Sequence, residues 1–292
     1  SILLFLPLLL LHPLPVRGQS CGQRFPARAA RIIGGKDSPV GRWPWQIKIG
    51  RLEGGGCGGT VIAERWILSA AHCFHRMKQT PVVFGSVRGF VEWEFTDVAQ
   101  SKSIILHEQY NFTSEVNRDK ELELHDIALI ELEKPHPFGP NVQPICLPSR
   151  NTTIPGGAQV VATGFGRTED ECDIKDLSCP FINLRETIFP LIPNDVCSAR
   201  NRRLTSNIAD TQLCGGSLGH GAARGDSGGP LIMKSKSGAW FQVGITSWGQ
   251  SSADQERYPG VFTNVHMYCD WIEEKTRGEV KCIDADLVDA SL

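Results

Sequence analysis

A positive charge excess is missing from this 292-residue chain, in which 30 lysines and arginines face 32 acids for a formal charge of −2. A polyanionic partner needs a positive field to hold it, so no nucleic acid is expected to bind. Long apolar runs are also missing. The strongest, in "SILLFLPLLLLHPLPVRGQS", is interrupted by prolines and His12 after about ten residues, against roughly 18 for a membrane span. Paired CxxC motifs of zinc spacing and a CxxCH haem site do not occur, so no metal and no cofactor are expected. Nor is there a repeat or low-complexity tract of the kind that would mark a matrix or structural component.

Thirty glycines and eighteen prolines punctuate short apolar runs such as "WQIKIG", "AQVVATGFG" and "FQVGITSWG". That texture predicts many strands joined by turns. Ten cysteines predict an oxidising, extracellular compartment. Residues 1–18 read as a secretory signal that begins part-way through, with a small-residue cleavage site near Val16–Gly18 and no membrane anchor. Residues 19–31 contain "SCGQRFPARAAR", a basic, proline-containing piece expected to be exposed to a protease that cuts after arginine. A strand-rich region follows without a linker to about residue 265. One helical pattern stands out, "NVHMYCDWIEEKTRG", with Met267, Trp271, Ile272 and Lys275 on one face, Asn264 as a cap and Gly278 as a stop. Cys172 and Cys179 could staple the acidic stretch "RTEDECDIKDLSCPFIN" as a surface loop, and the last ten residues, 283–292, form an acidic tail. Asn111 in "NFTS" and Asn151 in "NTTI" are glycosylation acceptors.

The run "ARGDSGGPLI" places Ser227 among three glycines and directly after Asp226. A serine hydroxyl attacks a carbonyl poorly unless a base takes its proton and a third group fixes that base in the right tautomer. Among eight histidines, His72 in "SAAHCF" has an unusual context, between small residues and a cysteine. Asp126 in "HDIALIEL" is the matching acid, because a carboxylate entering an apolar strand costs several kcal/mol unless it is paired.

Together "SAAHC", "DIAL", "GDSGGP", "SWG" and "PGVFTNV" make the chain resemble the chymotrypsin family of trypsin-like serine peptidases over about residues 21–277. The resemblance implies an all-β fold of two packed antiparallel β-barrels with a C-terminal α-helix, the site lying between the barrels. It makes 32–282 the peptidase domain and His72, Asp126 and Ser227 the catalytic residues, with the backbone N–H groups of Gly225 and Ser227 as oxyanion hole. It implies a zymogen: once a second protease cuts after Arg31, the new ammonium of Ile32 pairs with Asp226 and shapes the oxyanion loop. It pairs Cys57 with Cys73, Cys197 with Cys214, and Cys21 with Cys146, which would tether the propiece. Cys172 with Cys179 and Cys269 with Cys282 are left, each close enough in sequence to close a small loop.

The chain departs from the family pattern in places. Val160 and Met233 occupy the positions of one familiar bridge, and Ala223 and Ser252 those of another that flanks the substrate pocket. Gly221 stands where trypsin-like members keep an acid at the pocket base, with Gly249 and Gly260 on the walls and Arg224 at the rim. An uncharged slot for apolar or aromatic side chains is therefore expected. Ser247 is expected to support Asp126 and, with Trp248 and Gly249, to hold substrate backbone as an added strand. Ser86, where calcium-binding members place a carboxylate, implies no calcium site. Expected partners are protein or peptide substrates, an activating protease and protein inhibitors. The alternative is a pseudoprotease, a secreted binding protein on the same scaffold.

Overall fold

The computed structural model describes residues 21–24, 36–39, 41–49, 56–74, 81–84, 97–110, 124–166, 184–202, 207–249 and 254–290. Residues 1–20, Arg31, Ile32, Ser86, Asn111, Cys172, Cys179 and Ser252 lie outside them.

After a two-residue strand β1 (Lys36–Asp37), six strands build the first barrel: β2 (Gln46–Ile49), β3 (Cys57–Ala63), β4 (Trp66–Ser69), β5 (Pro81–Phe84), β6 (Asp97–Leu106) and β7 (Ala128–Leu132). They close in the order β2-β3-β4-β7-β6-β5, every pairing antiparallel. Strands β4 and β7, "WILS" and "ALIEL", are buried throughout. That explains their near-continuous apolar runs, since a strand covered on both faces has no solvent side on which to alternate. Ile47, Ile49, Val61, Ile67, Leu68, Leu129 and Ile130 are at most 1% exposed and pack in one core. Each such side chain contributes about 1.5–3 kcal/mol by leaving water.

The second half contains β8 (Leu147–Pro148), β9 (Gln159–Gly164), β10 (Arg185–Ile192), β11 (Gln212–Gly215), β12 (Pro230–Ser235), β13 (Trp240–Trp248), β14 (Gly260–Asn264), β15 (Cys282–Ile283) and β16 (Leu287–Val288). Strand β9 pairs with both β10 and β12, so the path β9-β10-β11-β14-β13-β12 returns to its start, with β1 and β16 added at its rim. Val160 and Met233, at the positions of the first missing bridge, are fully buried in this core beside Phe189 and Phe241.

Polar side chains as well as apolar ones join the halves. Thr60 Oγ1 donates to Gln242 Oε1 at 2.5 Å, and Thr163 Oγ1 to Gln46 Oε1 at 2.6 Å. All four residues are buried, and directional bonds in such a setting fix how the barrels meet.

Two α-helices are found among the described residues, α1 (Asn194–Asn201) and α2 (Cys269–Lys275). The second starts later than its cap signal suggested. Asn264 donates its side-chain amide to Asp210 O at 3.0 Å, a 3₁₀ turn fills Val265–Tyr268, and Tyr268 stands at the start of α2 without a side-chain cap. The helix ends at Lys275, short of the expected stop: Arg277, at φ 53°, is the first left-handed residue, and Gly278 follows at φ 77° with its N–H on Glu273 O at 2.8 Å. Disulfides join Cys21–Cys146, Cys57–Cys73, Cys197–Cys214 and Cys269–Cys282. The acidic C-terminal stretch is laid on the surface as two strands, β15 on β8 and β16 on β12.

Candidate active site

Asp126 enters β7 with its carboxylate fully buried and surrounded by donors. His72 N–H reaches Oδ1 at 2.8 Å, His72 Nδ1 meets Oδ2 at 2.7 Å, and Ser247 Oγ donates to Oδ2 at 2.5 Å. Thr263 Oγ1 caps the Asp126 carbonyl at 2.7 Å. An ionised carboxylate only accepts, so Nδ1 carries the ring proton and Nε2 is left as the basic nitrogen. Leaving a buried carboxylate like this without partners would cost about 3–5 kcal/mol.

Local structure explains how these groups converge. His72 rides the 3₁₀ turn Ala71–Phe74 at the end of β4, and the neighbouring Cys73 is bridged to Cys57 at the start of β3. With both sulfurs in a disulfide, the tight group Cys57, His72 and Cys73 offers no thiolate to a metal. Ser247 sits at a register shift between β13 and β14, where Thr246 opposes Phe262 and Trp248 opposes Val261. The extra residue of a bulge aims its side chain off the strand's alternation, here onto Asp126.

The turn carrying Ser227 is tied to the same place. Gly58 N–H donates to Ser227 O at 2.7 Å, and Gly228 N–H to Thr246 O at 2.8 Å. Gly228 has φ 77°, and a Cβ there would lie 2.3 Å from Ser69 Oγ and 2.5 Å from Gly58 O. No other residue allows the turn to close this tightly on the strand ends that present His72. Gly225, at φ 104°, packs against Gly166.

Asp226 points away from Ser227. Gly166 N–H donates to Oδ1 at 2.6 Å and Ala223 N–H to Oδ2 at 2.8 Å, in a seat open only because residues 164 and 166 have no Cβ. Burial lifts this carboxyl above its ordinary pKa, with the two N–H groups and Arg185 pulling it back down.

The remaining expected residues fall in two places. Gly221, Gly249 and Gly260 come together at one end of β13 and β14, where a Cβ on Gly249 would lie 3.2 Å from Gly260 Cα. Trp248 is half-buried beside them, and Arg224 is exposed. Asn151 is exposed on a turn far along the chain from these groups.

Sequence reasoning missed the support behind Asp126. His125 has φ 56°, a left-handed conformation that costs a non-glycine residue about 1–3 kcal/mol. It is held there by Tyr268, whose hydroxyl lies 3.1 Å from His125 Nδ1, and by a stacked His107 ring at 4.7 Å. Burial pushes the Tyr268 phenol up to about 12, with the Asp126 charge adding to the effect, while burial and then His125 lower His107. Nothing local signals this cluster, since its members come from separate stretches of chain. Gln255 was also missed: it is buried, donates from Nε2 to Ala222 O at 2.8 Å, and lies where a Cβ on Gly221 would fall.

Two closed β structures with a buried carboxylate–imidazole pair beside a glycine-bounded serine define the class of two-barrel serine hydrolases. The family model described as Trypsin matches residues 32–272, and the chain belongs to that family, the chymotrypsin-type serine peptidases. It is 37% identical over 258 residues to coagulation factor XI of Bos taurus, covering 85% of this chain and 38% of the relative. It is 33% identical over 262 residues to transmembrane protease serine 11C of Mus musculus, covering 88% of this chain and 56% of the relative. The chain therefore spans 38% and 56% of the lengths of these two relatives. No helix among the described residues is long and apolar enough to cross a membrane.

Proposed function

We propose that the protein is a secreted serine endopeptidase, made as a zymogen and activated by cleavage after Arg31. The observation that carries this reading is the buried Asp126 carboxylate on His72 Nδ1 at 2.7 Å, with the Ser227 turn tied to Gly58 beside the Cys57–Cys73 bridge. His72 Nε2 takes the Ser227 hydroxyl proton as Oγ attacks the peptide carbonyl. The N–H groups of Gly225 and Ser227 receive the negative charge on the carbonyl oxygen, a contribution worth about 10²–10³-fold in rate per donor. His72 then gives its proton to the leaving amine, and water repeats the sequence on the acyl-enzyme.

In this reading the Ile32 ammonium, formed on cleavage, joins the Asp226 carboxylate and offsets the burial that raises its pKa. The uncharged lining at Gly221, Gly249 and Gly260 favours apolar or aromatic side chains before the cut bond, and exposed Arg224 disfavours basic ones. Glycosylation at Asn151 is compatible with that residue's exposure.

The test is to cut the chain after Arg31 and treat cut and uncut samples with a fluorophosphonate. Labelling mapped to Ser227, stronger in the cut form, is the expected result. Equal labelling would remove the zymogen step, and none in either form would leave a binding protein on a peptidase scaffold.

A further inference from the structure

Glu186 lies on β10 with its carboxylate fully buried, and the side chains it gathers come from the short stretch that follows Ile32. Trp43 Nε1 donates to it at 2.7 Å and Ser38 Oγ at 3.0 Å, while Arg42 Nε lies 3.1 Å and Lys36 Nζ 3.4 Å from its oxygens. Strand β1 pairs with β10 at the same point, Lys36 opposite Glu186 and Asp37 opposite Arg185, and Ser38 N–H donates to Leu184 O at 2.7 Å. Arg24, from the other side of the Arg31–Ile32 bond, stacks on the Trp43 ring within the field of this cluster: burial and then Arg42 lower its pKa, and Glu186 opposes them.

A carboxylate taken out of water needs such partners, and each partner is in turn held where the carboxylate is. What is held is the base of the segment that begins at Ile32. The next strand across the sheet is β9, where Gly164 stands opposite Arg185 and a Cβ on Gly164 would fall on the Asp226 carboxylate. Asp37, Arg185, Gly164 and Asp226 therefore form one row, whose strands are spaced by about 4.8 Å. The four residues 32–35 can span at most about 14 Å, so the reach from β1 to Asp226 has little slack. A β1 already fixed beside this row spares the chain part of the ordering entropy of insertion.

We propose that Glu186 is a positioning residue for activation: by pinning β1 through Lys36, Ser38 and Arg42 it sets how strongly the new Ile32 ammonium is held at Asp226, and so how much of the cut enzyme is in its working form. The inference rests on the zymogen reading above. Only the charged amine joins Asp226, so insertion raises its pKa above the unperturbed value of about 7.7–8.0. The working form is fully present below that value and is lost as pH climbs past the raised one. Each tenfold weakening of insertion lowers the raised value by about one unit.

The experiment uses the full chain cut after Arg31. It measures the alkaline midpoint of fluorophosphonate labelling at Ser227, and the rate at which cyanate carbamylates the Ile32 amine near neutral pH, since an inserted ammonium is protected. Glu186→Gln is expected to lower the midpoint by about one unit and to speed carbamylation about tenfold, with labelling retained near neutral pH. Ser38→Ala, which removes one donor and no charge, moves both in the same direction by less. Leu287→Ala, which trims the second core at β16, lowers the thermal midpoint and moves neither. Should Glu186→Gln fail to label at any pH, Ser38→Ala decides. An unmoved midpoint and carbamylation rate in the deciding variant, or an equal shift in Leu287→Ala, reduces Glu186 to a structural residue and overturns this role alone. Wild type that still labels after Ile32 is carbamylated overturns the zymogen reading and the inference with it.

Discussion

Ser247 donates to Asp126 Oδ2 at 2.5 Å across 121 residues of sequence, sharing that oxygen with His72 Nδ1. The acid thus belongs to both halves of the molecule, carried by β7 of the first and fixed by β13 of the second. Replacing Asp126 by Asn would present an N–H where Nδ1 needs an acceptor and turn the imidazole to the wrong tautomer. Asp126→Asn is expected to lower kcat about 10⁴-fold in the cut enzyme. Ser247→Ala removes one hydrogen bond to a charged group, worth about 1.5–3 kcal/mol, and is expected to cost about tenfold to a hundredfold. Steady-state kinetics on one peptide checks both, and an Asp126→Asn enzyme within tenfold of wild type would refute the role given to the acid.

Gly228 and Gly157 have nearly the same backbone, φ 77° and 76°, but opposite surroundings. Nothing lies within 4 Å of a Cβ on Gly157, whereas one on Gly228 would strike Ser69 Oγ and Gly58 O. Gly157→Ala should therefore cost only the left-handed strain, about 1 kcal/mol. Gly228→Ala adds a backbone collision and should cost several times as much, with fluorophosphonate labelling of Ser227 lost. Urea unfolding of the two variants side by side tests this contrast, and equal destabilisation would show that the Ser227 turn is not locked as described.

Much of the frame was legible because local chemistry and tertiary demand coincide there. The runs "WILS" and "ALIEL" are mostly apolar because β4 and β7 are buried along their length, and "GDSGGP" needs its glycines where the turn meets Gly58 and Ser69. Other features depend on which distant residues arrive. Asn264 carries a cap signal but spends its amide on Asp210, so the helix begins at Cys269. Glu186 looks like a solvated strand charge, yet it is 1% exposed and gathers Trp43 Nε1 at 2.7 Å, Ser38 Oγ at 3.0 Å, Arg42 at 3.1 Å and Lys36 at 3.4 Å. Gln255 was invisible for the same reason, since the expected vacancy at Gly221 said nothing of what would fill it.

Residues 21–24 are docked as well as cross-linked. Cys21 is bridged to Cys146, Gly22 N–H donates to Pro144 O at 2.8 Å, and Trp240 N–H donates to Gly22 O at 3.0 Å. The Arg24 guanidinium lies 4.9 Å from the Trp43 ring and 4.7 Å from that of Trp240. After cleavage at Arg31 the propiece is therefore expected to remain attached. Non-reducing electrophoresis should show one species and reducing electrophoresis two. In Cys21→Ser the fragment should leave on dilution, because a few backbone bonds and one stacked cation do not hold a short peptide at low concentration. A fragment released from the cut wild type without reductant would contradict this arrangement.

Glu108 gives the C-terminal helix an acid-sensitive contact. Its carboxylate accepts from Lys275 Nζ at 2.6 Å and from Trp271 Nε1 at 2.9 Å, and the Lys275 bond does most to hold its pKa down to about 2 from an ordinary 4.5. A carboxyl whose pKa is depressed by folding adds stability that is fully present above the unfolded value and disappears as pH falls through the folded one. The relevant window is thus pH 4.5 down to about 2. Lys275 and Glu108 both face solvent, which screens them, so the contribution is small and is best read as a difference. Thermal midpoints of wild type and Glu108→Gln should differ at pH 6 and converge as pH approaches about 2, with Trp271 fluorescence changing over the same interval in wild type only. A constant difference across that range would mean that Glu108 acts through packing, and that its charge adds nothing to the seating of α2 against the first barrel.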